Sequence, residues 1–134
     1  MLQVKRAIYF EHFQKHVKDL QKHLYERDYV QASEKVWGAI SSFVNAFHFQ
    51  EARKVEEKKQ GFALLLRKLI TEDSSLDTIL KNNFKSIDDL TTKAEGLHLY
   101  FYGSRKYSED YLKNVIVGFA DVFKWIYSKF VSEN

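Results

Sequence analysis

The chain has no proline, no cysteine and only five glycines in 134 residues. Without cysteine there is no disulfide, no thiolate metal ligand and no thiol nucleophile. Without proline, the strongest internal breaker of helices is missing. Long apolar runs are missing too. Stretches such as Phe62 to Leu66 and Val115 to Ala120 fall far short of the roughly 20 residues that span a bilayer. The opening Met1-Leu2-Gln3-Val4-Lys5-Arg6 carries charge where a secretory leader would, but Glu11, His12 and Gln14 break the apolar stretch that should follow. No membrane association is expected, and a cytoplasmic location follows by default. Charge of one sign is also scarce. Lys and Arg number 21 against 18 Asp and Glu, a formal net charge of +3 with a pI near 9.0. Such a mild excess permits a polyanionic partner but is not the dense patch of a dedicated nucleic-acid binder.

Apolar material is plentiful: 45% of residues are hydrophobic and 16% aromatic, enough for one folded domain spanning residues 1–134. Eleven Phe, eight Tyr and two Trp exceed the needs of a small helical core, so some aromatics are expected to line a groove or a subunit interface. Apolar residues recur at helical spacing almost throughout, which predicts an all-α bundle of four long helices plus one or two short ones.

The first helix is expected from about Val4 to Glu26, with Phe10, Phe13, Val17, Leu20 and Leu24 inward. After the turn Tyr25 to Tyr29, Asp28 is placed to cap a second helix. Its seam is Val36, Ile40, Phe43 and Phe47, widened by Trp37 and Val44. Ala32, Ala39 and Ala46 form a row of small side chains beside it, and Gly38 adds room next to Trp37. The polar run Gln50 to Gln60 follows the decay of that helix after His48. It reads either as a solvent-facing helical extension or as a mobile charged connection. Phe62, Leu65, Leu66 and Leu69 mark a third helix ending near Glu72. Ser74 with Asp77 predicts a short capped turn through Leu80, interrupted at Asn82-Asn83, and Ser86 with Asp89 opens the fourth long helix. Gly103 closes it. Ser108 caps the last helix, Tyr107 is placed to staple onto Leu112, and Leu112, Val115, Phe119, Val122, Ile126 and Phe130 face inward.

Chemistry, where the pattern allows any, gathers around His98. Leu90, Ala94, Leu97 and Phe101 make the apolar stripe of its helix, with His98 on the margin. One reading makes His98 an interior histidine hydrogen-bonded to Glu34 beside Trp37, locking two helices together. A second stripe, His12, His16, Asp19 and His23 on the first helix, has imidazoles at spacings that can hold a transition metal, though a solvated flank is the plainer reading and no cofactor is expected.

Two stretches carry a family resemblance. Ala32-Ser33-Glu34-Lys35-Val36-Trp37-Gly38-Ala39 resembles the A-x-E-K-h-W-G-A signature of archaeal PaREP-type families. Leu97-His98-Leu99-Tyr100-Phe101-Tyr102 resembles their L-H-x-N-F-Y signature, with Tyr100 where Asn is usual. Those families are grouped with the HEPN superfamily, small nucleotide-binding helical domains. The resemblance implies an up-and-down helical bundle, a homodimer, and a non-catalytic binding module for a nucleotide, RNA or a protein partner such as a nucleotidyltransferase. Tyr100, Tyr102, Tyr107 and Arg105 would then offer stacking faces and a cation near His98. Catalytic HEPN members are metal-independent ribonucleases with Arg, four to six residues, then His. The alternative implied here is a divergent ribonuclease using Lys93 and His98. Lysine replaces the arginine fork with a mobile point charge, and five residues along a helix turn the second side chain roughly 140° from the first.

Overall fold

The structure, a computed structural model, describes residues 2–47 and 52–130, with side chains from residue 6 onward. Among these residues the chain is helical throughout: α1 (Leu2–Tyr25), α2 (Tyr29–Phe47), α3 (Val55–Glu72), α4 (Ser75–Asn83), α5 (Ile87–Phe101) and α6 (Glu109–Phe130). The count differs from expectation in one respect, because α3 is an 18-residue helix and only α4, at nine residues, is short. The reason lies in the charged run. Gln50 and Glu51 are outside the described residues, as is His48, but Val55 to Gln60 form the first turns of α3. Glu56 and Glu57 complement the positive end of that helix. Lys59 is held by Glu95 of α5 at 3.0 Å and by Glu56 at 3.7 Å. Just upstream, the buried Ala52 donates its N–H to Asn45 Oδ1 at 2.8 Å.

Two other local expectations are corrected. The residue that holds the start of α4 is Asp73, not Ser74: its Oδ1 accepts from the Ser75 N–H at 3.0 Å and from the Ser75 hydroxyl at 2.7 Å. Asp77 instead pairs with Lys81 at 2.9 Å, and Asn82 and Asn83 belong to the helix rather than interrupting it. The remaining caps fall where the sequence put them. Asp28 accepts from Gln31 N–H at 3.2 Å, Ser86 from Asp89 N–H at 3.0 Å, and Ser108 from Tyr111 N–H at 3.2 Å.

Helices α1 and α2 form a tight antiparallel hairpin, and α2 also packs on α3, α5 and α6. The hub is Phe43 of α2, fully buried, whose ring meets Phe13 of α1 at 5.7 Å, Phe62 of α3 at 6.0 Å, Phe130 of α6 at 5.9 Å and its own neighbour Phe47 at 5.2 Å. Edge-on and tilted ring pairs of this kind add roughly 0.5–1.5 kcal/mol each to what area burial contributes. Among the described residues no phenylalanine is exposed, so the aromatic surplus is largely core. The surface aromatics are tyrosines, including Tyr25, Tyr102 and Tyr127.

Gly38 also does something other than widen the space beside Trp37. A Cβ at that position would lie 2.7–2.9 Å from three atoms of the His16 ring. The imidazole of α1 thus fills the notch in α2 that the missing side chain leaves. Its Nδ1 is buried with no hydrogen-bond partner. Burial first, then the nearby Lys35, holds His16 below the ordinary histidine value, against the opposing pull of Glu34 and Asp19.

The two sharp reversals use one device. After α1, Asp28 N–H reaches His23 O at 2.9 Å and Arg27 N–H reaches Leu24 O at 3.1 Å; after α5, Ser104 N–H reaches Leu99 O at 2.9 Å and Gly103 N–H reaches Tyr100 O at 3.0 Å. Each is the paired carbonyl closure of a left-handed helix end. Gly103 takes the left-handed position at φ +81°, as glycine readily does, whereas at the first reversal Arg27 occupies it at φ 60°.

Candidate functional site

The end of α5 is where functional side chains gather, and its backbone explains why. Ser86 and Asp89 fix the start of the helix, with Asp89 Oδ2 accepting the backbone N–H of Lys85 at 3.0 Å. Leu90, Ala94 and Leu97 are buried as the core stripe. What remains splits to two sides of the helix.

On one side His98 stacks on Trp37 of α2, ring centroids 4.7 Å apart and planes 28° from parallel. Tyr102, 69% exposed, meets the imidazole edge-on at 5.0 Å. The expected link from His98 to Glu34 is replaced by this stacking, because Glu34 turns to its neighbour Lys35, Oε2 to Nζ 3.1 Å. Burial, then the charge of Lys58 on α3, keeps the His98 imidazole below its ordinary value, while Glu95 pulls the other way. His98 is therefore a neutral aromatic partner of Trp37 at neutral pH.

On the other side lies a set of tyrosines. Tyr107 stacks on Tyr111 at 4.7 Å with planes 27° apart, and Tyr100 closes on Tyr107 at 6.0 Å. Tyr107 thus finds an aromatic partner in Tyr111 while it packs, half-buried, against the core cluster that includes Leu112. The Tyr107 hydroxyl sits over Gly96 of α5, 2.6 Å from where a Cβ would be, and accepts a hydrogen bond from Arg105 Nη1 at 3.4 Å. That bond, first among the causes, holds the Arg105 guanidinium above its ordinary value and so strengthens the cation. Burial, then Tyr107, pushes the Tyr111 phenol up, so the Tyr111 hydroxyl stays a protonated donor at neutral pH. Arg105 and Lys106 are exposed beside the rings.

Lys93 does not meet His98. Its Nζ is held by Asp89 at 3.1 Å and lies 5.7 Å above the Phe84 ring, and its charge is felt by Tyr111. Asp89 stays ionised: burial alone would raise its carboxyl, but the Lys85 N–H and the Lys93 ammonium more than offset that. The two residues of the expected ribonuclease pair thus leave α5 on different sides.

The histidine stripe of α1 does not converge either. His12 is exposed and edge-on to Tyr9 at 6.1 Å, His16 is in the Gly38 notch, and His23 Nδ1 lies 3.6 Å from Glu26. Among the described residues no three His, Asp or Glu side chains come together as a metal would require. The site residues that sequence reasoning passed over are Tyr111, Gly96, Lys58 and Glu95. Only Tyr111 left a signal, an aromatic in the first turn of α6 four residues after Tyr107.

The fold and this site define a small all-α helical domain with an aromatic and cationic cluster at one helix end. The model of the archaeal PaREP1/PaREP8 family matches residues 8–117, from the first helix into the sixth, and the chain belongs to that family. No curated protein and no solved structure matches it. Among the described residues no helix is long and apolar enough to cross a membrane.

Proposed function

We propose that this protein is a non-catalytic binding module of HEPN type for a nucleotide or RNA, held by the tyrosines at the α5–α6 junction. The observation that carries this reading is the Tyr107–Tyr111 stack with Arg105 fixed on the Tyr107 hydroxyl. Parallel aromatic faces beside an unneutralised cation suit a base and its phosphate, and each base stacked on such a ring is worth roughly 1–3 kcal/mol. Binding rather than cleavage is favoured because Lys93 is committed to Asp89 and the face of His98 to Trp37.

Of the two protein partners implied by the resemblance, a second copy of this chain suits the groove between α3 and α5. Leu64 is 64% exposed there, and the cations around it are already matched, Lys59 by Glu95 and Arg67 by Asp88 at 3.4 Å. Such a neutral face meets its own copy without like-charge cost.

The test is titration of a labelled short RNA and of free nucleotides. Tyr107→Ala is expected to weaken both by roughly tenfold to a hundredfold while the protein stays folded, with a modest drop in melting temperature from the lost ring contacts. Equal affinity in parent and variant would sink the reading.

A further inference from the structure

The surface between α1 and α6 carries a groove of about 780 Å³ that the site above does not use. Lys15 and Lys18 of α1 and Lys124 of α6 line it, and among the described residues none of the three is paired with a carboxylate within 4.0 Å. Glu11 stands at one end, Gln14 and Gln21 add amides, and Tyr127, 39% exposed, contributes a ring. The contrast with the α3–α5 groove is chemical. There Lys59 and Arg67 face acids, whereas here the charge is left open, in a chain whose whole excess is only +3.

From this we infer that the α1–α6 groove is a track for the phosphate backbone of a single-stranded nucleic acid, so that the ligand is a strand and not a lone nucleotide. The inference rests on the nucleic-acid reading above and extends it to a second surface. Charge decides against a second copy of this chain, since a two-fold pairing through this face would set lysines against lysines. Polarity decides against an amphipathic partner helix, which needs an apolar floor; here Val17 is the one aliphatic residue among the lining side chains. A cationic groove with amide donors and one stacking ring is instead the composition that holds a single strand without reading its sequence.

The experiment compares the full chain with Lys15→Glu/Lys18→Glu/Lys124→Glu and with a charge-matched control, Lys54→Glu/Lys68→Glu/Lys85→Glu, all at exposed positions. The probes are uridine monophosphate and a labelled oligouridylate of about 12 nucleotides, titrated across salt concentrations. The groove variant is expected to lose at least tenfold in affinity for the strand. Its slope of log affinity against log salt should flatten by about 2, three contacts at about 0.7 each. Binding of the mononucleotide should not change, and the control should hold the strand within about twofold of the parent. Equal weakening by groove and control variants would mean general charge only and overturn the inference, as would strand binding that neither variant changes. Displacement of the strand by oligoglutamate of equal charge would move the groove to an acidic protein partner, again overturning it. If the parent binds the strand and the groove variant does not, while the mononucleotide binds neither, the tyrosine site fails and the groove stands. If the parent binds neither probe, both readings fall.

Discussion

Two helix glycines in this bundle admit a polar ring from another element, and the two notches are built for different ends. At Gly38 the His16 imidazole enters from α1, three of its atoms within 2.9 Å of a would-be Cβ, and its Nδ1 is left unpartnered inside. At Gly96 only the tip of Tyr107 enters, and its hydroxyl keeps a partner in Arg105 at the surface. A whole short side chain clamped between helices cannot retreat; the far end of a long one can. The first notch therefore belongs to the fold and the second to the site.

That difference can be broken deliberately. The largest effect is expected from Gly38→Ala. Overpacking against the His16 ring should cost about 1–3 kcal/mol, less the roughly 1 kcal/mol that alanine gains in a helix interior. In a His16→Ala background the same change should be neutral or stabilising, and a double-mutant cycle by urea melts measures the coupling directly. An uncoupled pair would show that the imidazole does not occupy the notch.

Gly96→Ala should act in the opposite sense. Melting temperature stays near that of the parent, because the Tyr107 hydroxyl swings outward and helix propensity improves, while nucleotide affinity falls about as far as in Tyr107→Ala. A stability loss comparable to that at Gly38 would erase the distinction.

A smaller effect separates the notches by pH. His16 is held below its ordinary value of 6.5, so the unfolded chain takes up a proton before the folded one does. The stability this represents is present above pH 6.5 and is lost as pH falls from 6.5 through the folded value. His98 is shifted in the same direction and adds to the slope. Melting temperatures between pH 7.5 and pH 5 should therefore fall, and more steeply in the parent than in His16→Gln.

The smallest change is a glycine that fills no notch. Arg27 holds a left-handed φ of 60° that its counterpart Gly103 adopts without strain. Arg27→Gly should raise stability by up to about 1 kcal/mol, offset in part by the freedom glycine adds to the unfolded chain. A lower melting temperature would mean that the arginine side chain is needed at this turn.

Much of the fold was written in periodicity. The inward stripes of α1, α2 and α6, the hairpin between Tyr25 and Tyr29, and the caps at Asp28, Ser86 and Ser108 lie where apolar spacing and capping chemistry put them, and the α5 stripe does so as far as Leu97, while Phe101 is only half-buried and meets Tyr102 edge-on at 5.0 Å. Local rules failed where two residues compete for one job: Asp73 and Ser74 are both good caps, and only the geometry of the turn selects the carboxylate. They failed again at the start of α3, whose charged first turns carry no apolar stripe because Lys59 is matched by Glu95 from a helix 36 residues away. The site was legible as a neighbourhood and not as an arrangement. Tyr100, Tyr107 and Arg105 do come together, but His98, Trp37 and Tyr102 form a separate stack on the other side of α5. A linear pattern records which residues share a helix end. It does not record which helix each ring will lie against.

The stacking of His98 on Trp37 also gives the protein an optical readout. The chain has two tryptophans. One lies under His98 at the end of α5; the other, Trp125 of α6, donates its indole N–H to Ser75 of α4 at 2.9 Å. Replacing Trp125 by Phe leaves a single emitter pressed against an imidazole, so its brightness should follow both the protonation of His98 and any ligand that disturbs the end of α5. Occupation of the helix end can then be watched without a label, in the same cuvette as the salt and pH titrations.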